Sequence, residues 1–276
     1  MRQKKIALIN DITGFGRCSV TIELPIISAL KIQACPLPTA ILSVHTGFNN
    51  YFMDDYTNRM QNYIDSWTLN ELKFDGIATG FLGSESQIDL VNKFIENNLE
   101  SVIMIDPVMG DHGRLYSSYT KEMCLKMREL LKYADLVTPN LTEACELLGV
   151  KYPTDGVISD SRLATMASHI AEKTRGGKVV ITGVTIDADD GSNIANFVFD
   201  NDKINLIAVK KIGGDRSGTG DAFFAVLAAS LINGVDLVES VKKSADFVTR
   251  CIDYAEKLNL PWNYGLPFEE FLTDLK

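Results

Sequence analysis

The sequence predicts an α/β protein with a mostly parallel central sheet that helices cover on both faces. Short apolar segments at residues 5–9, 76–79 and 101–105 have the length and composition of buried strands. Longer segments with helical periodicity separate them, and this alternation is typical of strand–helix–strand units. Parallel strands joined in that way are buried on both faces. The 276 residues contain no proline- or serine-rich linker and no repeat, so we expect one domain over residues 1–276.

The elements can be placed in order along the chain from local signals. The first strand, residues 5–9, leads into a polar, glycine-rich turn. A helix follows at 19–30, in which Pro25 should cause a kink or mark the true end. Residues 34–43 contain two prolines, so we expect an edge strand or extended segment there rather than a central strand. Further helices are predicted at residues 56–70, 86–96, 120–132, 142–148, 161–173, 222–232 and 238–257. Further strands are predicted at 76–79, 101–105, 136–138 and 178–182, with a hairpin of 194–199 and 204–209 around Asn201 and Asp202.

Composition and charge argue against several classes of function. The formal net charge is −9 and lysine and arginine do not cluster, which disfavours a nucleic-acid partner. The apolar run near the start is four residues long, too short for a signal peptide or a membrane span, so we expect a cytoplasmic protein without membrane association. The five cysteines are widely spaced and form no C-x-x-C pair, as is typical of reduced thiols. With three histidines, we expect no zinc site.

The segment GGDRSGTGD at residues 213–221 is the most informative stretch of the chain. Four glycines in eight residues are incompatible with the interior of a helix or strand, and an apolar run follows up to Asn233 and Gly234. We therefore expect a tight loop that opens into a buried helix. The free N–H groups and the positive dipole end of such a helix bind anions such as phosphate. Asp221 lies at the same place, either as a general base or as an acid that complements the helix dipole.

Polar or aromatic residues follow several predicted strands. In open α/β sheets, ligands bind beyond the carboxyl ends of the strands. We therefore expect these residues to face one crevice with the glycine loop, which favours the general-base interpretation of Asp221. The residues are Asp11, Thr46, Phe81, Asp106, Asn140 and Thr182.

The absence of several known phosphate-binding motifs excludes some classes of phosphate-transferring enzyme. The chain has no P-loop, no complete dinucleotide fingerprint after the first strand and no protein-kinase motif set. A glycine anion loop, an adjacent carboxylate and further acids for a divalent ion suit phosphoryl transfer from a nucleotide to a small alcohol. Such transfer is catalysed mainly by alignment and charge neutralisation.

Several motifs resemble those of a known group of kinases. SGTGD at 217–221 resembles the signature of the ribokinase-like superfamily, and DPVMG at 106–110 and TPNLTE at 138–143 resemble motifs of its vitamin-kinase branch. SVHT at 43–46, GFLGS at 80–84 and ELP at 23–25 are most similar to pyridoxal/pyridoxamine kinases. The resemblance runs in order from Ile6 to about Asp253. It implies a three-layer ribokinase-like fold and ATP-dependent phosphorylation of the 5′-hydroxyl of pyridoxal, pyridoxamine or pyridoxine in vitamin B6 salvage. It also implies Mg²⁺ and a homodimer, and leaves open whether K⁺ takes part.

The resemblance implies roles for the matched residues. Asp221 would be the catalytic base and also contact the substrate. The loop that receives the phosphoryl group would be formed by Gly218, Thr219 and Gly220. The ATP site would contain Asp106, Thr138, Asn140, Glu143, Thr182, Gly214, Asp215, Arg216 and Ser217, and Asp106 and Glu143 would also act on the metal. The substrate pocket would contain Asp11, His45, Thr46, Gly47 and Phe81.

Each of these roles has a structural alternative. Glu143 can be an acid of the first helical turn with Asn140 as the cap, and Asp106 and Asp11 can be turn residues. His45 and Phe81 can serve in packing. Further alternatives concern segments outside the matched set. The loop at 111–112 can close over the site or be solvated, and Trp67, Trp262 and Tyr264 are expected in the core or an interface.

Two residues depart from the family pattern. Thr182 stands where some pyridoxal kinases have lysine. Asp11 stands where many have serine, which suggests a preference for an amine-bearing substrate such as pyridoxamine.

Two other functions are weighed against a pyridoxal kinase. Hydroxymethylpyrimidine kinases of thiamine synthesis typically have cysteine at the position of Asp221 and glutamine within the segment at 43–46, and this chain has neither. A ligand-binding relative without turnover would not need Asp221, Asp106 and Glu143, all of which are present. Parallel assays of the candidate substrates would separate these functions.

Overall fold

The computed structural model describes residues 2–153, 158–185 and 193–276. It shows a mostly parallel sheet flanked by helices, as the sequence predicts. The strands are β1 (Lys5–Thr13), β2 (Gln33–Leu42), β3 (Met53–Asp55), β4 (Gly76–Thr79), β5 (Val102–Ile105), β6 (Gly110–Asp111), β7 (Arg114–Leu115), β8 (Leu136–Val137), β9 (Lys178–Thr185), β10 (Asn193–Asp200) and β11 (Lys203–Lys210). The α-helices are α1 (Val20–Ala29), α2 (Thr57–Leu69), α3 (Glu85–Glu96), α4 (Lys121–Leu130), α5 (Leu141–Leu148), α6 (Asp160–Ala171), α7 (Thr219–Ile232) and α8 (Leu237–Lys257).

The chain divides into two compact units. Unit 1 contains the residues up to Phe81 together with Ile212–Lys276, and unit 2 contains Leu82–Lys211. Within the described ranges, no helix has both the length and the apolar composition needed to cross a bilayer.

Unit 1 is built on the strand order β4-β1-β2-β3. β1 pairs in parallel with β2 and β4, and β3 pairs antiparallel with the end of β2. The inner residues of β1 are almost completely buried, and α1 packs beside the very apolar helix α7. α7 is buried from Ala222 through Ser230, so its sequence lacks the polar face of a surface helix.

The first strand is longer than its apolar run predicts. β1 continues through Asn10 and Asp11 to Thr13, with a change of register against β2 between Asn10 and Ile12. The prediction of a turn at Asp11 is therefore wrong. The strand tolerates polar residues here because a bulge redirects their side chains and hydrogen bonds satisfy them inside the unit.

The prolines of β2 are accommodated on one side of the strand. The N–H of Gln33 donates to β1, and backbone groups along a strand point to alternate sides. The backbone of Pro36 is therefore directed away from β1, where a missing N–H removes no bond to that strand. The carbonyl of Pro36 accepts a bond of 2.9 Å from the hydroxyl of Tyr63. β3 covers the outer side of β2 only from Ala40 to Leu42. β2 therefore has a partner on both sides at its end, while its proline-containing part behaves as the predicted edge.

Unit 2 contains the strand order β11-β10-β9-β8-β5. β5, β8 and β9 are parallel, and β9, β10 and β11 form an antiparallel meander. The short β6–β7 ribbon occupies the segment that the sequence predicts as a loop.

The predicted hairpin of β10 and β11 is present, and the φ angles of Asn201 and Asp202 are 46° and 70°. Two adjacent positive φ angles are typical of a type I′ turn.

The hairpin turn predicts a stabilising substitution. Asp202→Gly should increase the free energy of unfolding by about 0.5–1 kcal/mol, because glycine adopts a positive φ without strain and Asn-Gly is the preferred type I′ pair. Urea unfolding measures the change. Lys203→Gly, one residue further into β11, is the control and should destabilise the protein, since glycine weakens a strand. Equal effects of the two substitutions would contradict the assignment of the turn.

Candidate active site

The candidate site in unit 1 starts at the first turn of α7. This helix begins at Thr219, three residues earlier than predicted, so Asp221 is its third residue. Gly218 caps the helix with a φ of 80°, and a Cβ atom at this position would lie 2.0 Å from the carbonyl oxygen of Arg17. Only glycine allows this approach of two backbones. At Gly220, by contrast, a Cβ atom would meet no described atom within 4 Å.

The start of α7 offers donors to an anion. The first N–H groups of an α-helix have no partner within the helix, and the helix dipole places partial positive charge there. Among the described residues, no side chain caps this end of α7. The backbone N–H groups of Thr219, Gly220 and Asp221 can therefore bind phosphoryl oxygens, as the sequence predicts for the glycine loop.

Asp221 lies in an environment that favours its protonated form. Burial raises the pKa of this carboxyl to about 6, and the negative charge of Asp11 adds to the increase. Hydrogen bonding to the backbone of Ser19 and the side chain of Asn10 acts in the opposite direction. A carboxyl with a pKa near 6 is ionised at neutral pH and is more basic than an exposed aspartate. It has the properties of a general base.

Asp11 is buried, and each of its carboxylate oxygens accepts one hydrogen bond. The hydroxyl of Ser19 donates to one carboxylate oxygen and the hydroxyl of Thr13 to the other, each at 2.7 Å. Burial raises the pKa of Asp11, although these two bonds lower it. Asp11 therefore belongs to the same cluster of unit 1 as Asp221.

Both ring nitrogens of His45 are within hydrogen-bond distance of backbone groups. Its Nδ1 accepts a bond of 3.1 Å from the N–H of Gly47, and its Nε2 lies 2.8 Å from the carbonyl oxygen of Asn263, to which it can donate. The His45 ring also contacts Phe48 and Trp262 at centroid distances of 4.9 and 6.0 Å. Trp262 is 53% exposed, so of the two places expected from the sequence, the core or an interface, the core is excluded.

The other residues predicted for the substrate pocket form fewer contacts with the protein. Thr46 and Gly47 are exposed, and Phe81 is half-buried with its N–H bonded to Asn10 at 2.9 Å.

A second candidate cluster lies within unit 2, around Glu143. The buried Glu143 accepts the N–H of Asn140 at 2.8 Å and the N–H of Met109 at 3.1 Å, and Asn140 caps α5 by accepting the N–H of Glu143 at 3.0 Å. This reciprocal capping box is the structural alternative considered for Glu143. The pKa of Glu143 is well above its usual value because the group is buried and because Asp106 is negatively charged nearby.

The remaining nucleotide-site predictions of unit 2 lie around this capping box. The Thr138 hydroxyl donates to Asp106 at 3.2 Å, and Thr182 forms a parallel bridge with Asn140. The structure therefore brings all five predicted residues of this unit into neighbouring positions: Asp106, Thr138, Asn140, Glu143 and Thr182.

The carboxylates of unit 2 suit a mostly hydrated magnesium ion. Within the described ranges, no group of three or more His, Cys, Asp or Glu side chains is arranged as a metal site. Mg²⁺ usually binds through one or two carboxylates and keeps several waters. Asp106 fits direct ligation, whereas both oxygens of Glu143 already accept backbone N–H groups, so Glu143 fits contact through a metal-bound water.

The residues before Gly218 have mainly structural contacts. The buried guanidinium of Arg216 bonds to Glu256 at 2.7 Å and to the carbonyl of Leu260 at 3.0 Å. The N–H of Ser217 reaches the carbonyl of Trp262 at 3.4 Å. Gly214 and Asp215 are exposed. Arg216 is thus held inside unit 1 by protein partners.

Comparison with known proteins places the chain in a family. The model of the phosphomethylpyrimidine kinase family matches residues 21–264. The chain belongs to this family. It is a family of vitamin kinases, and therefore of phosphotransferases.

Pyridoxal kinase from Arabidopsis thaliana is 31% identical over 203 residues, which are 70% of this chain and 62% of that protein. Hydroxymethylpyrimidine/phosphomethylpyrimidine kinase from Staphylococcus aureus is 25% identical over 264 residues, 94% of this chain and 91% of that protein. The chain spans 38%, 66% and 62% of the length of the first three curated relatives that it matches.

Solved structures share the whole fold. A provisionally named phosphomethylpyrimidine kinase from Bacteroides thetaiotaomicron, crystallised with pyridoxal, is 34% identical with a TM-score of 0.93 over 99% of this chain and 96% of that chain. Pyridoxal kinase from Lactobacillus plantarum is 24% identical with a TM-score of 0.92 over 99% of this chain and 97% of that chain. Pyridoxal kinase from Leishmania donovani in complex with ADP and pyridoxamine is 21% identical with a TM-score of 0.86 over 99% and 96%. The fold and the kinase family predicted from the motifs are confirmed.

The site contains residues that the sequence analysis does not predict. Asn10, Thr13 and Ser19 bond directly to predicted residues, and the buried Glu23 bonds to Asn10. The signal for Asn10 is a polar residue directly after an apolar strand and before Asp11. Glu23 forms part of the ELP motif, but nothing local shows that its side chain is buried.

The close approach at Gly218 predicts a large loss of stability on substitution. Gly218→Ala should lower the free energy of unfolding by about 2–4 kcal/mol, because the new Cβ atom meets a backbone oxygen and φ is positive. Urea unfolding is the measurement. Gly220→Ala is the matched control, and its effect should stay within about 1 kcal/mol, since alanine fits a helix and meets no clash. Comparable losses in both variants would contradict the assigned geometry.

The raised pKa of Asp221 predicts a stability difference that depends on pH. The pKa of Asp221 is about 6 in the folded protein, and the ordinary value of 3.8 applies to the unfolded chain. Above pH 6 the ionised, buried carboxylate therefore lowers the free energy of unfolding, and this loss disappears as the pH falls towards 4. Asp221→Asn should therefore stabilise the protein by about 1–3 kcal/mol at pH 7.5 and by much less at pH 4. Thermal unfolding across this range tests it. The exposed Asp65→Asn is the control and should follow the parent at each pH; a gain for Asp221→Asn that does not change with pH would contradict the shift.

Proposed function

We propose that the protein is an ATP-dependent kinase that phosphorylates the 5′-hydroxyl of a vitamin B6 vitamer, namely pyridoxal, pyridoxamine or pyridoxine. The observation that carries the proposal is Asp221 in the first turn of α7, with a pKa of about 6 next to helix N–H groups that no described side chain caps. An alcohol-directed kinase needs this combination of a base and an anion site. The motif resemblance, the family and the pyridoxal-bound relative support the choice of a B6 vitamer.

Asp221 performs the proton transfer in this proposal. Its ionised carboxylate accepts the proton of the substrate hydroxyl while the oxygen attacks the γ-phosphorus of ATP, and the bond between that phosphorus and the β-bridging oxygen breaks. The N–H groups of Thr219 and Gly220 neutralise charge that develops on the transferred group. ADP leaves with the bridging oxygen, and the acceptor becomes a 5′-phosphate ester.

The carboxylates of unit 2 serve the nucleotide. Mg²⁺ supplies positive charge that offsets the phosphate oxygens when it is bound. Asp106 would hold this ion directly and Glu143 would order one of its waters, with Thr138, Asn140 and Thr182 on the nucleotide side. Glu143 has a second function that the structure explains fully, because it caps α5.

Asp11, His45 and Phe81 are the proposed contacts of the vitamer. The buried carboxylate of Asp11 can accept a hydrogen bond from a pyridine nitrogen that carries a proton or from an amine, which favours pyridoxamine. The ring of Phe81 can flank a flat heterocycle. Thr46 and Gly47 lie on the same loop as His45. A homodimeric assembly and a cytoplasmic location belong to the same proposal.

Hydroxymethylpyrimidine is the second candidate acceptor. The family description and the match to nearly the whole length of the Staphylococcus aureus enzyme favour it. Both acceptors are flat heterocycles with a hydroxymethyl group, so Asp221 can serve either. The preference between them is decided by contacts to the ring, and Asp11 is the charged side chain that bears on it.

The proposal predicts magnesium-dependent ADP release with at least one B6 vitamer. Pyridoxal, pyridoxamine, pyridoxine and hydroxymethylpyrimidine are assayed in parallel by a coupled ADP assay, and the highest kcat/KM is expected for a B6 vitamer. Asp221→Asn should lower kcat by about two orders of magnitude or more, because it removes the base. An Asn variant as fast as the parent removes that assignment. Turnover of hydroxymethylpyrimidine alone supports the second candidate, and no turnover of any acceptor supports a ligand-binding relative.

A further inference from the structure

Five rings of unit 1 contact one another around His45. They form a cluster, here called the aromatic wall, of Phe15, His45, Phe48, Trp262 and Tyr264. The centroid of the His45 ring lies 4.9 Å from that of Phe48 and 6.0 Å from that of Trp262. Phe15 packs edge-to-face against Tyr264 at 5.0 Å and against Phe48 at 5.8 Å. The rings come from three separate segments of the chain, so only the tertiary structure brings them together.

The aromatic wall is partly open to solvent. The exposed fraction is 53% for Trp262, 46% for Phe15 and 39% for Tyr264. Single exposed apolar side chains are common in folded proteins, but a contiguous patch of them marks a place where a ligand or a partner binds. Tryptophan and tyrosine also offer a large, rigid contact area at a low cost in conformational entropy. The wall is therefore a candidate binding surface rather than a part of the core.

Backbone contacts hold the wall beside the start of α7. A Cβ atom at Gly218 would lie 2.0 Å from the carbonyl oxygen of Arg17, and a Cβ atom at the preceding Gly16 would lie 2.3 Å from Cδ2 of His45. From the other side, the N–H of the residue before Gly218 reaches the carbonyl oxygen of Trp262 at 3.4 Å. The wall is thus one residue away from the Gly218 cap along two different segments.

Gly47 gives room to two rings of the wall. A Cβ atom at this position would lie 2.6 Å from Cη2 of Trp262 and 2.7 Å from Cε1 of His45. The backbone of Gly47 does not have a positive φ, so ring packing rather than backbone conformation accounts for the glycine. Trp262 is therefore held on one side by protein atoms and remains half-exposed on the other.

We propose that the aromatic wall receives the flat ring of the phosphoryl acceptor and that Trp262 is a specificity-determining residue of this site. The inference rests on the proposed function, in which the acceptor is a flat heterocycle with a hydroxymethyl group. Its ring packs on the wall, and its hydroxymethyl arm extends to the start of α7, where Asp221 and the helix N–H groups lie. Contact between rings recognises a pyridine or a pyrimidine and disfavours alcohols without an aromatic ring.

The nucleotide base is the other flat ring that a kinase binds. In the proposed function, the residues of the magnesium ion and of the nucleotide side belong to unit 2, among them Asp106 and Glu143. The wall belongs to unit 1, as do Asp11 and Asp221. His45 is moreover both a member of the wall and a residue that the sequence predicts for the substrate pocket. These observations favour the acceptor ring over adenine as the occupant.

Steady-state kinetics of three variants test the wall. Trp262→Ala should raise KM for the acceptor that is turned over by about tenfold, because it removes the ring contact, and should change kcat and the KM for ATP less than about threefold. Trp262→Phe keeps a ring and should stay within about threefold of the parent in every constant. Leu69→Ala is the control, since it removes an apolar side chain that is 84% exposed and lies outside the wall. Its constants should equal those of the parent.

Tryptophan fluorescence tests the same contact without turnover. The chain has two tryptophans, so Trp67→Phe leaves Trp262 as the single emitter, and Trp262→Phe leaves Trp67. Pyridoxine absorbs light where tryptophan emits, and its binding should quench Trp262 in a saturable way. Trp67 packs against Tyr63 and Phe74 at centroid distances of 5.2 and 4.9 Å, outside the wall, and should be quenched much less. ATP alone should leave the emission of Trp262 unchanged.

The two measurements separate this proposal from the proposed function. Turnover of a vitamer with an unchanged acceptor KM in Trp262→Ala overturns the wall and leaves the proposed function standing. Saturable quenching of Trp262 by pyridoxine without turnover of any acceptor supports the wall and contradicts the kinase activity. Quenching by ATP alone, or equal quenching of Trp67 and Trp262 by pyridoxine, overturns the wall as the site of the acceptor ring. The fluorescence variants keep the test decisive if Trp262→Ala does not fold.

Discussion

The candidate site of unit 1 depends on one backbone contact. Gly218 lies so close to the carbonyl of Arg17 that no side chain fits between them. This contact fixes the start of α7 against the segment that connects β1 to α1. Because the segment after Arg17 contains Cys18 and Ser19, Asp221 comes under the influence of Ser19, Asp11 and Asn10. A glycine that appears in sequence as part of a flexible loop is therefore a rigid spacer, and the chemistry of the acid depends on it.

The close approach of Gly218 to Arg17 places the carboxylates of Asp11 and Asp221 in one buried cluster. Burial disfavours both charges, and the charge of Asp11 raises the pKa of Asp221 further. The protein compensates Asp11 with two hydroxyl donors at 2.7 Å. Asp11 is thus held in a structural network, while Asp221 keeps the basicity needed to accept a proton.

The sequence predicts the fold and the position of the proposed base at the start of α7, but not the residues that surround it. Helices, the glycine loop and the hairpin turn are visible in local patterns, because periodicity and turn residues depend on neighbours in sequence. Asn10, in contrast, bonds to Glu23 and Phe81, which are 13 and 71 residues away. No local pattern encodes such a contact. The same holds for the bulge at Asp11, which a polar sequence after an apolar run presents as a turn.

The site predictions differ in how much of each one could be made from the sequence alone. The capping box of Asn140 and Glu143 is local, and its structural interpretation is correct. The position of Trp262 beside His45 depends on two segments more than 200 residues apart, and the sequence analysis expects Trp262 in the core or an interface. The internal partners of Arg216, Glu256 and the carbonyl of Leu260, lie about 40 residues further along the chain. The sequence shows the charge of a loop residue such as Arg216, but it does not show which residues that charge contacts in the fold.

Asp221 and Glu143 show how one helix position can serve structure or chemistry. Both acids are the third residue of their helix. At α5 the cap is Asn140 in an extended conformation, and the longer glutamate side chain reaches back to its N–H at 2.8 Å. At α7 the cap is Gly218 with a left-handed backbone, and aspartate is one methylene shorter, so no capping box forms. The carboxylate of Asp221 is consequently left for partners outside its own helix. The left-handed glycine that allows the close backbone approach is also what releases the acid from a capping role and makes it available as a base.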